Sequence, residues 1–265
     1  MSRQVSLRRL EEFGIAPDRD LGQNFLIDNN VLSMVGGLVS LAAEDVVIEV
    51  GAGLGVLTVW LAGRVALVHS VEIDRRLEPA LLETLRGVPN VRLRFEDAMD
   101  TDFAALDPHP QVMVANLPYG VATPVILRAL PAIERFCVMV QREIGERLFA
   151  APGTKAYGAV SVLVQLACER IGGRAVSRSV FVPQPNVDSM LVAFRRRPGV
   201  MFGSEWEWTV RVVHGAFAHR RKTLANSLRL AGLPAPPAEI AGMRAEQLVP
   251  ERLGQLAREL GAGAG

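Results

Sequence analysis

Hydrophobic and polar positions alternate with two different periods along this chain. A short β-branched run at Val46–Val50 and further runs at Val65–Ile73, Val91–Phe95, Gln111–Ala115 and Phe136–Val140 read as strands. Helical stretches lie between them, one reaching Leu61 and others over Arg75–Leu85, Thr123–Leu130 and Arg142–Phe149. Buried strands separated by helices predict a parallel sheet covered on both faces. Upstream, Val5–Phe13 reads as a short helix, and Asp28 or Asn29 can cap a second one that runs to about Val39. Downstream, a helix over Gly158–Ala167 and two strand-like runs, Ile171–Ser177 and Val187–Phe194, close the sheet. The string Arg195-Arg196-Arg197-Pro198 marks a boundary, so an α/β domain over 1–197 and a small helical domain over 198–265 are expected. The second holds a helix at Trp206–Ala218, a basic turn and helix at Arg220–Leu230, a Pro-rich linker at Leu233–Pro237 and a helix at Glu251–Leu260.

Composition narrows the class. A chain of 265 residues with 49% hydrophobic content suits one large domain and a small one. No apolar run approaches membrane-spanning length, and Met1-Ser2-Arg3-Gln4 leads into a polar helix rather than a secretory signal. Cys137 and Cys168 sit in apolar surroundings and read as reduced core residues. Neither they nor the four histidines have ligand spacing, so no metal is expected, and the location expected is cytoplasmic. The net charge is only +1, but Arg170–Leu230 holds 11 Lys+Arg against 3 Asp+Glu, an excess of eight that leaves −7 for the remainder. That asymmetry fits a protein holding a small cofactor with one part and a polyanion with another. Solvated arginines on helix faces are the plainer alternative.

Candidate chemistry gathers after the strands. Glu49-Val50-Gly51-Ala52-Gly53-Leu54-Gly55 joins a strand to a helix, where glycine lets a ligand approach the backbone. A dinucleotide fingerprint would place the third glycine three residues after the second; here it follows by two. Glu72, 21 residues beyond Gly51, ends the second strand where a carboxylate can take both ribose hydroxyls, although a nicotinamide cofactor would use an acid there too. Asp97, after the third strand, can accept from an adenine amino group. The fourth strand ends in Asn116-Leu117-Pro118-Tyr119. There the Asn116 side-chain oxygen and a carbonyl near Pro118 can accept both N–H bonds of a planar amine, and the Tyr119 ring can stack on its base. Each acid alone could be a helix cap, and Asn-Leu-Pro-Tyr alone could be a turn. In this order, all four loops converge on the carboxyl edge of one sheet.

At this point the chain resembles the bacterial small-subunit ribosomal RNA adenine dimethyltransferases, the kasugamycin-sensitivity enzymes, which are relatives of the macrolide-resistance methylases. The matching strings are Leu21 to Leu26, Glu49 to Gly55, Glu96 to Met99, Asn116 to Tyr119, Lys155 to Gly158, Phe181 to Ser189 and Arg220 to Thr223. The resemblance implies a class I S-adenosylmethionine-dependent, Rossmann-like methyltransferase fold with a small C-terminal helical domain. The implied activity is dimethylation of two adjacent adenosines near the 3′ end of 16S rRNA, within a small subunit or its precursor, by a protein expected to be a monomer. Asn24 and Leu26 would belong to a lid over the cofactor, Gly51 would approach its methionine part, and Asn116 would serve both cofactor and target amine. Phe181 would face Tyr119 across a flipped base.

Departures from the family pattern are Gly120 in place of the usual Asn, Ala122-Thr123 in place of Ser-Thr, and Asp18-Arg19-Asp20 where lysines are common. A sulfonium donor is already a strong electrophile, so alignment and exclusion of water are the main requirements, and the proton can leave after transfer without a dedicated base. Arg220, Arg221 and Lys222, with some of Arg195, Arg196 and Arg197, would contact RNA phosphates rather than read bases. Three rival readings stand beside this one: a resistance methylase acting on 23S rRNA, an assembly factor whose catalysis is secondary, and a nicotinamide-dependent oxidoreductase.

Overall fold

A computed structural model describes residues 8, 10–18, 21–26 and 28–262. The first expected helix is helical at Arg8 and at Leu10–Glu12, and its Val5–Leu7 portion lies outside the described residues, as do Arg19 and Asp20. Seven strands form the main sheet: β2 (Val46–Val50), β3 (Leu67–Glu72), β4 (Val91–Phe95), β5 (Val112–Asn116), β6 (Arg135–Gln141), β7 (Cys168–Val176) and β9 (Ser189–Arg196), in the order β4-β3-β2-β5-β6-β9-β7. β2 pairs in parallel with β3 and β5, β3 with β4, and β5 with β6, whereas β9 runs antiparallel to β6. The chain leaves β2 for β3 and β4 on one side, then returns to start β5 on the other. That reversal makes the β2/β5 gap the switch point where such sheets bind ligands.

Helices α1 (Asn29–Val39), α2 (Val56–Ala62), α3 (Glu78–Thr84) and α4 (Ala122–Ala129) connect the strands. Asp28 caps α1 by accepting from the Asn30 N–H at 2.7 Å. The expected Arg75–Leu85 helix begins instead as a 3₁₀ turn at Arg75–Leu77, capped by the Asp74 side chain. Val31, Leu32 and Val35 of α1 are buried in one cluster with Leu57 and Leu61 of α2, Val47 of β2, Val114 of β5 and Leu191 of β9. A two-stranded ladder not expected from the sequence joins β1 (Phe25–Leu26) to β8 (Phe181–Val182), with Leu26 opposite Phe181.

The compact units do not follow a single cut after Arg197. The first comprises 1–145 and 170–195, and the second comprises 146–169 and 196–265. The reason lies in α6 (Ala159–Ala167) and the loop before it. Tyr157 is fully buried and donates its hydroxyl to Leu248 O at 2.8 Å, and its ring meets Phe217 edge-on at 5.9 Å. A methyl group at Gly254 would come within 3.0 Å of Leu166. The rest of the second unit is α7 (Ser204–Phe217), α8 (Leu224–Leu230), the short α9 (Ala238–Ala241) and α10 (Pro250–Ala262), while α5 (Arg142–Leu148) spans the division in sequence. The α8 helix starts at Leu224 behind a Thr223 cap, so Arg220, Arg221 and Lys222 lie in the turn before it.

Candidate active site

The end of each parallel strand contributes one wall of a cleft in the first unit. Leaving β2, Gly51 and Gly53 adopt φ values of +83° and +59°, a region costly for any side chain. A Cβ on Gly51 would stand 3.3 Å from the Asn116 carbonyl oxygen, so the two loops at the switch point touch through backbone. A Cβ on Gly53 would meet the Phe25 ring at 3.1 Å. Glu72, at the end of β3, is 5% exposed; one carboxylate oxygen accepts from Gly53 N–H at 2.8 Å and the other from Asp74 N–H at 2.9 Å. Burial raises its pKa, partly offset by these backbone bonds. Asp97, after β4, accepts the Met99 N–H at 2.8 Å and lines the cleft with Glu96 and Ala98.

Two adjoining cavities share Leu21 to Asn24, Gly51, Glu72, Ile73, Pro118 and Tyr119. The smaller adds Leu26 and Asn116; the larger, about 740 Å³, adds Asp97, Gln141 and Pro183 to Val187. Asn24, Leu26, Gly51, Glu72, Asp97, Asn116, Pro118 and Tyr119 therefore come together around one space. The Asn116 amide nitrogen donates to Asn24 O at 3.0 Å. Because that partner is a carbonyl, the side-chain oxygen must be the atom turned away from it. The Pro118 carbonyl accepts the Val121 N–H at 3.2 Å, and Tyr119 Oη lies 2.7 Å from Ser189 Oγ. Burial raises the Tyr119 pKa, so the phenol is neutral.

Phe181 stands apart from these residues. It lines neither cavity; it is 1% exposed and packs among Leu26, Val35, Leu57, Met139 and Leu191. Phe181 stands opposite Leu26 in the β1–β8 ladder, and this part of the chain lines the larger cavity only from Pro183 onwards. Gly120 proves permissive: a Cβ there meets nothing within 4 Å. Sequence reasoning gave no role to Ser189, Gln23 or Glu49, although each lies in a motif it singled out. Gln23 donates to Asp74 at 2.7 Å and accepts from Asp18 N–H at 2.8 Å, and Arg76 pairs with both acids, which ties the segment over the cleft to the turn after Glu72. Glu49, wholly buried in β2, accepts from Thr58 and Ser70 hydroxyls at 2.6 Å each, and burial pushes its pKa up to about 8. A Glu two residues before a glycine loop was the available signal.

The basic candidates divide. Arg195 belongs to the first unit, and Arg196 and Arg197 belong to the second. The Arg197 side chain donates to Gln165 O and Cys168 O at 3.0 and 3.1 Å, and Arg196 lies over the Phe202 ring. The Arg220 guanidinium reaches Lys155 O, Tyr157 O and the Glu246 carboxylate, so it staples its own unit. Arg221 and Lys222 are exposed. Among the described residues no helix is long and apolar enough to cross a membrane.

A glycine loop, a buried acid one strand over and an Asn-Leu-Pro-Tyr edge at the switch point define the fold and site of a nucleoside-cofactor methyltransferase. Residues 17–238 match the family described as ribosomal RNA adenine dimethylase, and the chain belongs to that family. It is 40% identical over 237 residues to the ribosomal RNA small subunit methyltransferase A of Bacillus mycoides (strain KBAB4), covering 85% of this chain and 81% of that one, with the same figures for Bacillus cereus (strain B4264). Among solved structures, a dimethyladenosine transferase from Plasmodium falciparum shares the fold at a TM-score of 0.73 and 24% identity, over 90% of this chain and 98% of that one. The 23S rRNA methyltransferase ErmE matches at 0.65 and 27%, over 89% and 100%. The nicotinamide reading is thereby set aside. The family implies S-adenosylmethionine, and the residues fit it: positive-φ glycines leave room against the backbone, and a buried carboxylate is pre-oriented by two N–H bonds.

Proposed function

We propose that this enzyme dimethylates the exocyclic amines of two adjacent adenosines near the 3′ end of small-subunit ribosomal RNA. The observation that carries the reading is the Asn116 carboxamide, turned by its bond to Asn24 O so that its oxygen is left to accept from a target amine. An adenine amine is a poor nucleophile because its lone pair is delocalised into the ring. Accepting one of its N–H bonds at Asn116 Oδ1, and the other at a carbonyl near Pro118, localises that lone pair and fixes its direction. Tyr119 stacks on the unpaired base and offsets part of the cost of flipping it out. Glu72 holds the ribose hydroxyls, Asp97 the cofactor's adenine amine, and Gly51 makes room for the methionine part. S-adenosylmethionine bound there supplies an electrophilic methyl group. Arg221 and Lys222, in the second unit, contact phosphates.

Identity to small-subunit enzymes at 40% against 27% to ErmE favours small-subunit RNA over the large-subunit alternative. The test offers the purified enzyme and S-adenosylmethionine separate small and large subunits from cells lacking both modifications, then maps dimethyladenosine by primer-extension stops. Stops confined to two neighbouring adenosines of the small-subunit RNA are expected. Stops in large-subunit RNA alone would establish the resistance-type reading instead.

A further inference from the structure

Tyr119 is the only aromatic residue among the described residues that line the larger cavity. The turn that carries it, Asn116 to Val121, leaves the side chain half-buried at the end of β5. One contact beyond that turn fixes the far end of the ring: Tyr119 Oη meets Ser189 Oγ at 2.7 Å across 70 residues of sequence.

Ser189 is a rigid anchor. It is fully buried, and it is paired opposite Gln141 in the β6–β9 ladder, next to Asp188, whose carbonyl accepts the Arg142 N–H at 3.0 Å. Gln141 itself lines the larger cavity, so the ladder forms the floor against which the ring is held. A buried hydroxyl needs a partner, and Tyr119 supplies it.

We infer that Ser189 is a positioning residue, whose hydroxyl holds the Tyr119 phenol so that the ring presents one fixed face to the target base. This rests on the proposed stacking role of Tyr119. It explains why a buried serine opens a strand whose next buried residues, Leu191, Val192, Ala193 and Phe194, are all apolar.

Two measurements decide it. The chain has two tyrosines, so tyrosine labelled at the phenolic carbon gives one resonance for Tyr119 and an internal control from Tyr157, which bonds Leu248 O. Ser189→Ala should move and broaden the Tyr119 resonance and leave that of Tyr157 alone; an unchanged Tyr119 signal would overturn the anchor without reference to any activity. In kinetics on small subunits, Ser189→Ala and Tyr119→Phe should each lower kcat about tenfold through loss of alignment, with cofactor affinity unchanged. Their combination should be no worse than either alone, and Ser189→Thr should restore most of the rate. A Ser189→Ala loss that persists at full size in the Tyr119→Phe background would assign Ser189 to packing and sink the inference. Wild-type protein that methylates no small-subunit adenosine would count against the proposed reaction, and the resonance would still decide the anchor.

Discussion

The Asn116 side chain and the Asn24 main chain, 92 residues apart in sequence, are joined by a 3.0 Å hydrogen bond from amide nitrogen to carbonyl oxygen. The segment that carries Asn24 thus sets the orientation of the amide at the end of β5. Asn24 is held in turn, its own amide nitrogen donating to Gly22 O at 2.9 Å.

Replacing Asn116 with Ala should lower turnover about 100-fold or more while leaving RNA affinity nearly intact, because alignment of a weak nucleophile is lost. Asn116→Asp should be similarly poor, since a carboxylate has no N–H for Asn24 O. Single-turnover methylation beside a filter-binding isotherm measures both quantities. A near wild-type rate in either variant would remove this residue from the mechanism.

Glu72→Ala should weaken S-adenosylmethionine by about 1–3 kcal/mol through loss of charge-assisted hydrogen bonds to the ribose. Asp97→Ala should do less, since it offers a contact to one amino group. Calorimetry gives the numbers, and unchanged affinity in Glu72→Ala would move the ribose elsewhere.

Glu49 gives the fold a pH dependence of predictable sign. Burial raises its folded pKa to about 8 from 4.5, with the Ser70 and Thr58 hydroxyls lowering it less and the Glu72 charge adding to the rise. The folded state therefore binds the proton more tightly than the unfolded chain. The associated stability is fully present below about pH 4.5 and is lost as pH rises towards 8, by up to about 1.4 kcal/mol per unit. Glu72 shifts in the same direction. Denaturant melts of Glu49→Gln should therefore show a flatter decline over that range than wild type; parallel profiles would mean that Glu49 is ionised in the fold.

Arg221 and Lys222 should act as phosphate contacts. Replacing both with Ala should flatten the slope of log RNA affinity against log salt by about 2 units, with cofactor affinity unchanged. Arg220→Ala should behave differently and lower the melting temperature, because its guanidinium bonds Lys155 O, Tyr157 O and Glu246. An unchanged salt slope in the double variant would place the RNA surface elsewhere.

Periodicity located the five parallel strands to within a few residues: inner strands such as β2, β5 and β6 are buried on both faces and so nearly continuously apolar, and the edge strand β4 alternates apolar residues with Arg92 and Arg94. The β1–β8 ladder escaped it. Two residues a side carry no period, and the pairing of Leu26 with Phe181 spans 155 positions. The helical unit was also drawn too short, since α6 reads locally as one more sheet-covering helix and only its packing partners assign it.

That the candidate residues share one cleft was legible in advance for a related reason. Each follows a strand, and the order of strands in an open α/β sheet dictates which edge their loops share. Sequence alone determined the family and the shared sheet edge of the Gly51 loop, Glu72, Asp97 and Asn116 to Tyr119. Only the tertiary structure decided what individual side chains meet: Phe181 the buried cluster around Leu26, Arg220 and Arg197 backbone carbonyls, and the phenol of Tyr119 the hydroxyl of Ser189. Side-chain direction and hydrogen-bond commitment are set by neighbours tens of residues away in sequence, and neither leaves a mark on composition or spacing.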